Sequence, residues 1–158
     1  KKIIFHPSLT FTILNGHAIA GGFILASSTD FILSKDGNHK IGLNPDLLNV
    51  SLPALPSAIL KLKYKKEANK LLSKNTVNNF IITNSHIKKT TKPFQYIKTK
   101  LKKTDRLLLK RKNTLLEKLT SYNKEKYEKD NNIFFKEWWS KHSIESRENV
   151  LTKLRSKI

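Results

Sequence analysis

The sequence lacks cysteine and methionine and contains few acidic residues. Without cysteine the chain cannot form a disulfide, a thiolate metal site or a cysteine nucleophile. Its longest apolar block, residues 18–26, contains two glycines and is too short to cross a bilayer. Methionine is absent even at position 1, so we expect that an N-terminal piece has been lost from a chain that begins with two lysines.

Basic residues outnumber acidic residues by 31 to 12, and the excess lies in the second part of the chain. Residues 1–57 hold four lysines and three aspartates, whereas residues 58–158 hold 27 basic and 9 acidic residues. Such a charge suits RNA, acidic lipid or an acidic protein, although a lysine- and asparagine-rich composition also follows from A-rich codons. Because only four of the basic residues are arginines, RNA binding is the less favoured interpretation.

The first half of the sequence predicts short strands mixed with helices. A strand is predicted at 9–14, and Gly21-Gly22 is predicted to begin a helix that ends near Asp30. The turn sequence at 35–38 lies between two apolar segments and predicts a strand pair or a strand edge. A helix interrupted near Lys65-Lys66 is predicted at 57–74, and the Asn-rich segment 75–86, with one apolar patch at 79–82, predicts a last short strand or loop.

The second half predicts long basic helices, since no glycine or proline follows Pro93. One long amphipathic helix is predicted from apolar residues that recur every seven positions, namely Phe94, Leu101, Leu108, Leu115 and Tyr122. This stripe fits equally well a helix packed on its own core and a helix packed on a partner. A break is predicted at Asn131-Asn132, then an aromatic helical face (Phe134, Phe135, Trp138 and Trp139), and then a last helix capped by Ser143.

The two glycines at the predicted helix start have a chemical meaning. A helix N-terminus presents unpaired N–H groups, and glycine allows a ligand to approach the backbone, so an anion or an oxyanion would be stabilised there. The surrounding string, N-G-H-A-x-A-G-G-F-x-L-A-x-x-x-D-F at 15–31, is followed by Ile-Gly-Leu-Asn at 41–44 and a Leu-Pro pair. Together these strings resemble the crotonase superfamily of enoyl-CoA hydratases and isomerases, and most closely its Δ3,Δ2-enoyl-CoA isomerases.

The resemblance, strongest over 9–55, implies an α/β fold: the C-terminal part of a crotonase-type spiral of ββα units, followed by long C-terminal helices. Residues 1–90 would form a partial crotonase-like core, and residues 91–158 a basic helical region for packing or oligomerisation. The family's C-terminal helices pack into trimers, which implies protein partners, either copies of this chain or a chain that supplies the N-terminal half.

The resemblance also assigns an oxyanion and acyl-CoA site to Ala20, Gly21 and Gly22. The Gly21 N–H would be one of two donors to the thioester carbonyl, and the second would come from a segment upstream of this chain. Losing one such donor typically costs about 3 kcal/mol of transition-state stabilisation. Coenzyme A thioesters are thus possible ligands, with no other cofactor and no metal implied.

The two positions that carry the family's catalytic glutamates are occupied by residues that cannot transfer a proton. Ile24 stands where the hydratases have glutamate, and Pro45 stands where the isomerases have theirs. Asp46 is one residue farther on and is a weak substitute, better interpreted as a loop or cap carboxylate. His17 is interpreted as a turn residue rather than a base.

These features favour a crotonase-like pseudoenzyme that serves as a structural or accessory subunit of a larger mitochondrial complex. The first alternative is an active enoyl-CoA isomerase or hydratase of fatty-acid β-oxidation whose N-terminal half is missing or lies on another chain. The second alternative is an accessory protein of the mitochondrial ribosome that contacts RNA. A peroxisomal location is the alternative to a mitochondrial one, because the terminal Ser156-Lys157-Ile158 resembles a Ser-Lys-Leu signal.

Overall fold

The computed structural model describes residues 2–35, 39–43, 50–72, 87–103, 106–121 and 124–156. The chain divides into two compact units, each built from two segments. The first unit comprises Lys1–Gly42 and Asn79–Ser121, and the second comprises Leu43–Asn78 and Tyr122–Ile158. In the described part of the chain, none of the helices is both long and apolar enough to span a membrane.

The described residues of the first unit form two small parallel sheets and three helices. In chain order its elements are β1 (Phe11–Leu14), β2 (Ala18–Ile19), α1 (Gly21–Ser27), β3 (Phe31–Ser34), β4 (Ile41–Gly42), β5 (Ile87–Lys89), α4 (Pro93–Lys102) and α5 (Arg106–Thr120). One sheet has the order β1-β3-β5, and the other pairs β2 with β4. All the pairings are parallel. Two parallel strands that are neighbours in a sheet must be joined by a crossover connection, and α1 lies in the connection between β1 and β3.

The core of the first unit includes buried residues of α1 and of the central strand of the larger sheet, β3. Phe23 and Ala26 are buried on α1, and Ile32 and Leu33 are buried on β3. Adjacent residues of β3 point to opposite faces of the sheet, so this strand is covered on both sides. Strand β1 pairs with β3, and Phe11 of β1 lies opposite Phe31 of β3. Their rings stack with a centroid distance of 5.1 Å.

The second unit is helical and consists of α2 (Ala54–Tyr64), α3 (Lys66–Leu72), α6 (Lys124–Trp138) and α7 (Lys141–Arg155). Its buried residues lie mainly on α2 and α3, where Ala54, Ala58, Ile59, Leu60, Tyr64, Ala68 and Leu71 are each at most 2% exposed. The interruption predicted near Lys65-Lys66 is confirmed, because Lys65 separates the two helices with φ 46° and ψ −113°.

The predicted strand at 9–14 and the predicted helix start at Gly21 are both confirmed. However, α1 ends at Ser27, three residues before Asp30. The turn sequence at 35–38 does lie between two strands, β3 and β4, as expected, but these strands do not pair with each other, because they belong to different sheets. The segment 75–86, with its apolar patch at 79–82, lies outside the described residues.

The single long helix predicted from Phe94 is wrong, because α4 ends at Lys102 and a separate α5 begins at Arg106. The predicted break at Asn131-Asn132 is also wrong, since α6 runs without interruption to Trp138. The Asn131 side chain instead accepts a hydrogen bond from the Ala54 N–H at 3.4 Å, and so caps the first turn of α2.

The predicted cap of the last helix is one turn too late. Helix α7 begins at Lys141, and the Ser140 hydroxyl accepts the hydrogen bond from the Ser143 N–H at 3.2 Å. Ser143 is itself buried, and its hydroxyl accepts a hydrogen bond from Arg147. Of the predicted aromatic face, Phe134 and Trp138 are half-buried with centroids 5.7 Å apart, whereas Phe135 and Trp139 are exposed.

Candidate functional site

The chain turns at Ala20, between β2 and α1. Ala20 has φ 52° and ψ −117°, a conformation that L residues other than glycine adopt at a cost in energy. Its carbonyl accepts the hydrogen bond from the Ile24 N–H at 3.0 Å, which starts the helix. Ala20 has no oxygen in its side chain, so it leaves the first turn of α1 without a side-chain cap.

The smaller sheet fixes this turn from the other side. The Ala20 N–H donates to the Gly42 carbonyl at 2.9 Å, and the Ala18 N–H donates to the Lys40 carbonyl at the same distance. Gly42 has φ 152°, which is unfavourable for any residue with a Cβ. The glycine of the Ile-Gly-Leu-Asn string therefore has a structural role, because it permits the backbone conformation that holds Ala20.

The backbone at Gly21 and Gly22 is open. Both glycines are exposed, and apart from their chain neighbours and the backbone of α1, no described atom lies within 4 Å of a Cβ placed on either of them. Helix geometry leaves the first N–H groups of α1 without partners inside the helix. This arrangement is chemically suited to accept the oxygen of a carbonyl group or a small anion against the backbone.

The neighbouring side chains offer little acid or base chemistry. Ile24 lies in the first turn of α1, and its hydrocarbon side chain cannot donate or accept a proton. Its carbonyl accepts hydrogen bonds from the Ser28 N–H and hydroxyl, at 3.0 and 2.9 Å. Pro45 and Asp46, the other two positions singled out from the sequence, lie outside the described residues.

His17 precedes β2, whereas Gly21 follows it, so the two residues lie at opposite ends of that strand. The Nδ1 atom of His17 accepts a hydrogen bond from the Lys40 N–H at 3.0 Å. Its ring meets that of His39 edge to face, with centroids 6.2 Å apart. His17 thus connects the residue that precedes β2 with the residue that precedes β4, which agrees with its interpretation as a turn residue.

The motif aspartate, Asp30, belongs to a polar cluster that supports the turn between α1 and β3. Its Oδ2 atom accepts hydrogen bonds from the Thr10 N–H at 2.7 Å, the Thr10 hydroxyl at 2.8 Å and the Lys112 ammonium at 2.8 Å. Lys112 also donates to the Ser8 carbonyl at 2.6 Å. Lys112 could not be identified from the sequence, because it is one lysine among many on a basic helix and its partner lies 82 positions away.

No protein-family model matches the chain, and neither does any curated protein. Among solved structures, the crystal structure of a methylmalonyl CoA decarboxylase is similar, with a TM-score of 0.64 at 15% sequence identity. The similarity covers 96% of this chain and 64% of that one, so the chain spans less than two thirds of the length of this neighbour. At this identity the likeness shows the fold alone. The neighbour is a crotonase superfamily member, and the predicted fold class is therefore confirmed: the chain has an α/β fold of the crotonase type, with several C-terminal helices.

Proposed function

We propose that this chain is a crotonase-like pseudoenzyme, closest to the enoyl-CoA isomerases, that serves as a structural or accessory subunit of a larger mitochondrial complex. The observation that carries the proposal is the combination of an open Gly21-Gly22 backbone with Ile24 in the same helical turn. The N–H groups can polarise a carbonyl, but a hydrocarbon side chain cannot move the proton that hydration requires. Such a turn retains a capacity to bind without the means to catalyse.

Pro45 adds a second argument from the sequence, because it occupies the position of the isomerase glutamate and has no ionisable group. General acid–base catalysis commonly contributes 10²–10⁴-fold to a rate, so the loss of both carboxylates would leave little turnover. A thioester could still bind through the backbone. We therefore expect any coenzyme A thioester to be a ligand of this chain and not a substrate.

The exposed aromatic residues of the second unit support a role in assembly. Phe135 is 57% exposed and Trp139 is 69% exposed. Aromatic residues are enriched where protein surfaces meet, and the flanking charges are balanced, with five lysines and four acidic residues between 124 and 141. A near-neutral surface with large exposed rings fits a protein partner better than a polyanion.

Turnover measurements on the purified full chain test the proposal. The assays follow hydration of a 2-enoyl-CoA and isomerisation of a 3-enoyl-CoA, with an authentic hydratase and an authentic isomerase as positive controls. We expect no turnover above the uncatalysed rate in either assay. Turnover within tenfold of either control would refute the pseudoenzyme.

The enzyme alternative retains one specific observation in its favour, the open backbone at Gly21 and Gly22. If turnover is found, the Asp46→Ala variant identifies the base. A loss of about 10²-fold or more in kcat would assign Asp46 as the base in place of the missing glutamate. An unchanged kcat would place the proton transfer elsewhere.

The proposed mitochondrial location is tested by imaging a fusion that leaves the C-terminus free. Co-localisation with a mitochondrial marker is the expected result. Co-localisation with a peroxisomal marker, lost when Ser156-Lys157-Ile158 is removed, would instead establish the peroxisomal alternative.

A further inference from the structure

Helix α4 carries two large apolar side chains that remain exposed, Phe94 and Leu101. Positions 93, 96, 97 and 100 are half-buried, which places them on the side of the helix that faces the unit. On that side the Lys100 ammonium lies over two aromatic rings, 5.6 Å from the centroid of Phe31 and 5.8 Å from that of Tyr96. About a quarter turn around the helix from that side, Phe94 is 72% exposed and Leu101 is 52% exposed.

The exposed side of α4 also carries lysines. Phe94, Lys98 and Leu101 are spaced at i, i+4 and i+7 and therefore share one face, and Lys98 is exposed. Lys102 and Lys103 extend this basic surface at the helix end, and both are exposed. None of the residues of α4 is buried, so the helix is a surface element along its whole length.

The charge of this region has one sign. Between Asn79 and Thr104, within the unit of α4, the sequence has no aspartate or glutamate and seven lysines, at positions 88, 89, 92, 98, 100, 102 and 103. The exposed Lys88 and Lys89 belong to β5, which leads into α4. The exposed rings on α6 differ in this respect, because acidic residues balance the lysines around them.

We propose that α4 docks on an anionic lipid bilayer, with Phe94 and Leu101 entering the boundary between head groups and acyl chains. The lysines around them would attract lipid phosphates, and the helix, 10 residues and roughly 15 Å long, would lie in the plane of the interface. An amphipathic helix with large apolar residues on one face and lysines beside them binds membranes in this way.

The apolar residues of this surface favour a bilayer over RNA as the partner. Phosphates of RNA would meet the lysines equally well, but they would leave Leu101 against water, since an aliphatic side chain offers no stacking surface to a base. A protein partner would have to combine an apolar groove with an acidic rim at this one place. An anionic bilayer supplies both phosphates and an apolar interior across its whole surface. This proposal does not depend on whether the chain is a pseudoenzyme.

Sedimentation of the full chain with vesicles provides the first test. The chain should bind vesicles of phosphatidylcholine mixed with phosphatidylglycerol and should bind much less to phosphatidylcholine alone. The double variant Phe94→Ser with Leu101→Ser should bind the anionic vesicles about tenfold more weakly. The matched control, Phe135→Ser with Trp139→Ser, removes similarly exposed apolar residues from α6 and should bind normally.

The charge is tested separately with Lys98→Gln combined with Lys102→Gln. At low salt each lost lysine should weaken binding about fivefold. The control variant, Lys126→Gln with Lys129→Gln, removes two lysines from α6 and should change binding by less than twofold. Failure of the chain to bind anionic vesicles, or equal losses in the α4 and α6 variants, would overturn the proposal.

A fluorescent label detects insertion directly and leaves Phe94 intact. Because the chain has no cysteine, Leu101→Cys provides a single site for a polarity-sensitive fluorophore, and Phe135→Cys provides the control. Anionic vesicles should shift the emission of the label at 101 to the blue and leave the label at 135 unchanged. A shift at 101 with single-stranded RNA but not with vesicles would overturn the proposal, and so would a shift on raising the protein concentration alone.

Discussion

The Lys112 ammonium lies 2.8 Å from Asp30 Oδ2, and the Lys112 side chain is 5% exposed. The contact joins α5 to the turn between α1 and β3, two regions that are far apart in the sequence. Lys112 also donates to the Ser8 carbonyl, and Asp30 also accepts from Thr10, so both charged groups have further hydrogen-bond partners. A buried ion pair tolerates the loss of its hydration only when its remaining polar positions are satisfied in this way.

Replacing Lys112 with methionine should destabilise the chain by about 2–3 kcal/mol, because it leaves the Asp30 carboxylate partly buried without its cation. Urea unfolding measures the change. The control is Lys124→Met, which removes an exposed lysine 4.0 Å from Glu128 and should cost under about 0.5 kcal/mol.

A double-mutant cycle separates this ion pair from the loss of packing. Asp30→Asn combined with Lys112→Met should cost less than the sum of the two single changes, since the second change no longer leaves an unpaired charge. Strict additivity would contradict a direct interaction between the two residues.

Gly42→Ala should destabilise the chain by about 1–3 kcal/mol. The φ of 152° at this position is strained for alanine, and its relief would move the carbonyl that accepts from the Ala20 N–H. The matched control is Gly16→Ala, because apart from its two chain neighbours no described residue has an atom within 4 Å of a Cβ placed there. Thermal unfolding should show a lower midpoint for the first variant and a change of about 1 °C or less for the second. Equal effects would show that the conformation of Gly42 is not the cause.

Local sequence signals were sufficient for the turn that forms the candidate site. The Asn-Gly turn and the Gly21-Gly22 pair correctly placed the strand and the start of α1, because both depend on residues within a few positions of each other. The break at Lys65 was found in the same way. The fold class came from the longer string, and the solved structure of similar fold confirms it.

The errors arose where a side chain acts on a distant segment. Asn131 favours a helix end in its own sequence context, yet its amide caps α2 across the unit while α6 continues past it. The heptad spacing from Phe94 predicted one helix, because spacing records only which residues could share a face. In the structure α4 ends at Lys102, and Phe94 and Leu101 point outward. Lys112 could not be distinguished from the neighbouring lysines without the fold.

Lys65→Gly should stabilise the chain by about 0.5–1 kcal/mol. Lys65 has φ 46° between α2 and α3, and glycine adopts this conformation without the strain that a Cβ causes. The comparison variant is Lys61→Gly, an exposed lysine inside α2, where glycine should cost about 1 kcal/mol. Urea midpoints that move in opposite directions for the two variants would establish the effect. If both midpoints fell, the strain relieved at Lys65 would be smaller than the stability lost because glycine raises the entropy of the unfolded chain.

Arg147→Lys should destabilise the second unit by about 1–2 kcal/mol although it preserves the charge. The guanidinium lies 4.3 Å from the Trp138 ring centroid, and its Nη1 donates to the Trp138 carbonyl at 2.6 Å and to the Ser143 hydroxyl at 2.8 Å. A lysine ammonium has no planar face to stack on the indole, so it cannot keep the ring contact and both hydrogen bonds together. The control is Arg155→Lys, at an exposed position near the end of α7, which should leave the unfolding midpoint unchanged. Since Arg147 joins the last carbonyl of α6 to α7, hydrogen exchange should show faster opening around 138–147 in the Arg147 variant alone. Unchanged exchange there would mean that the two helices are held together by their apolar contacts without this arginine.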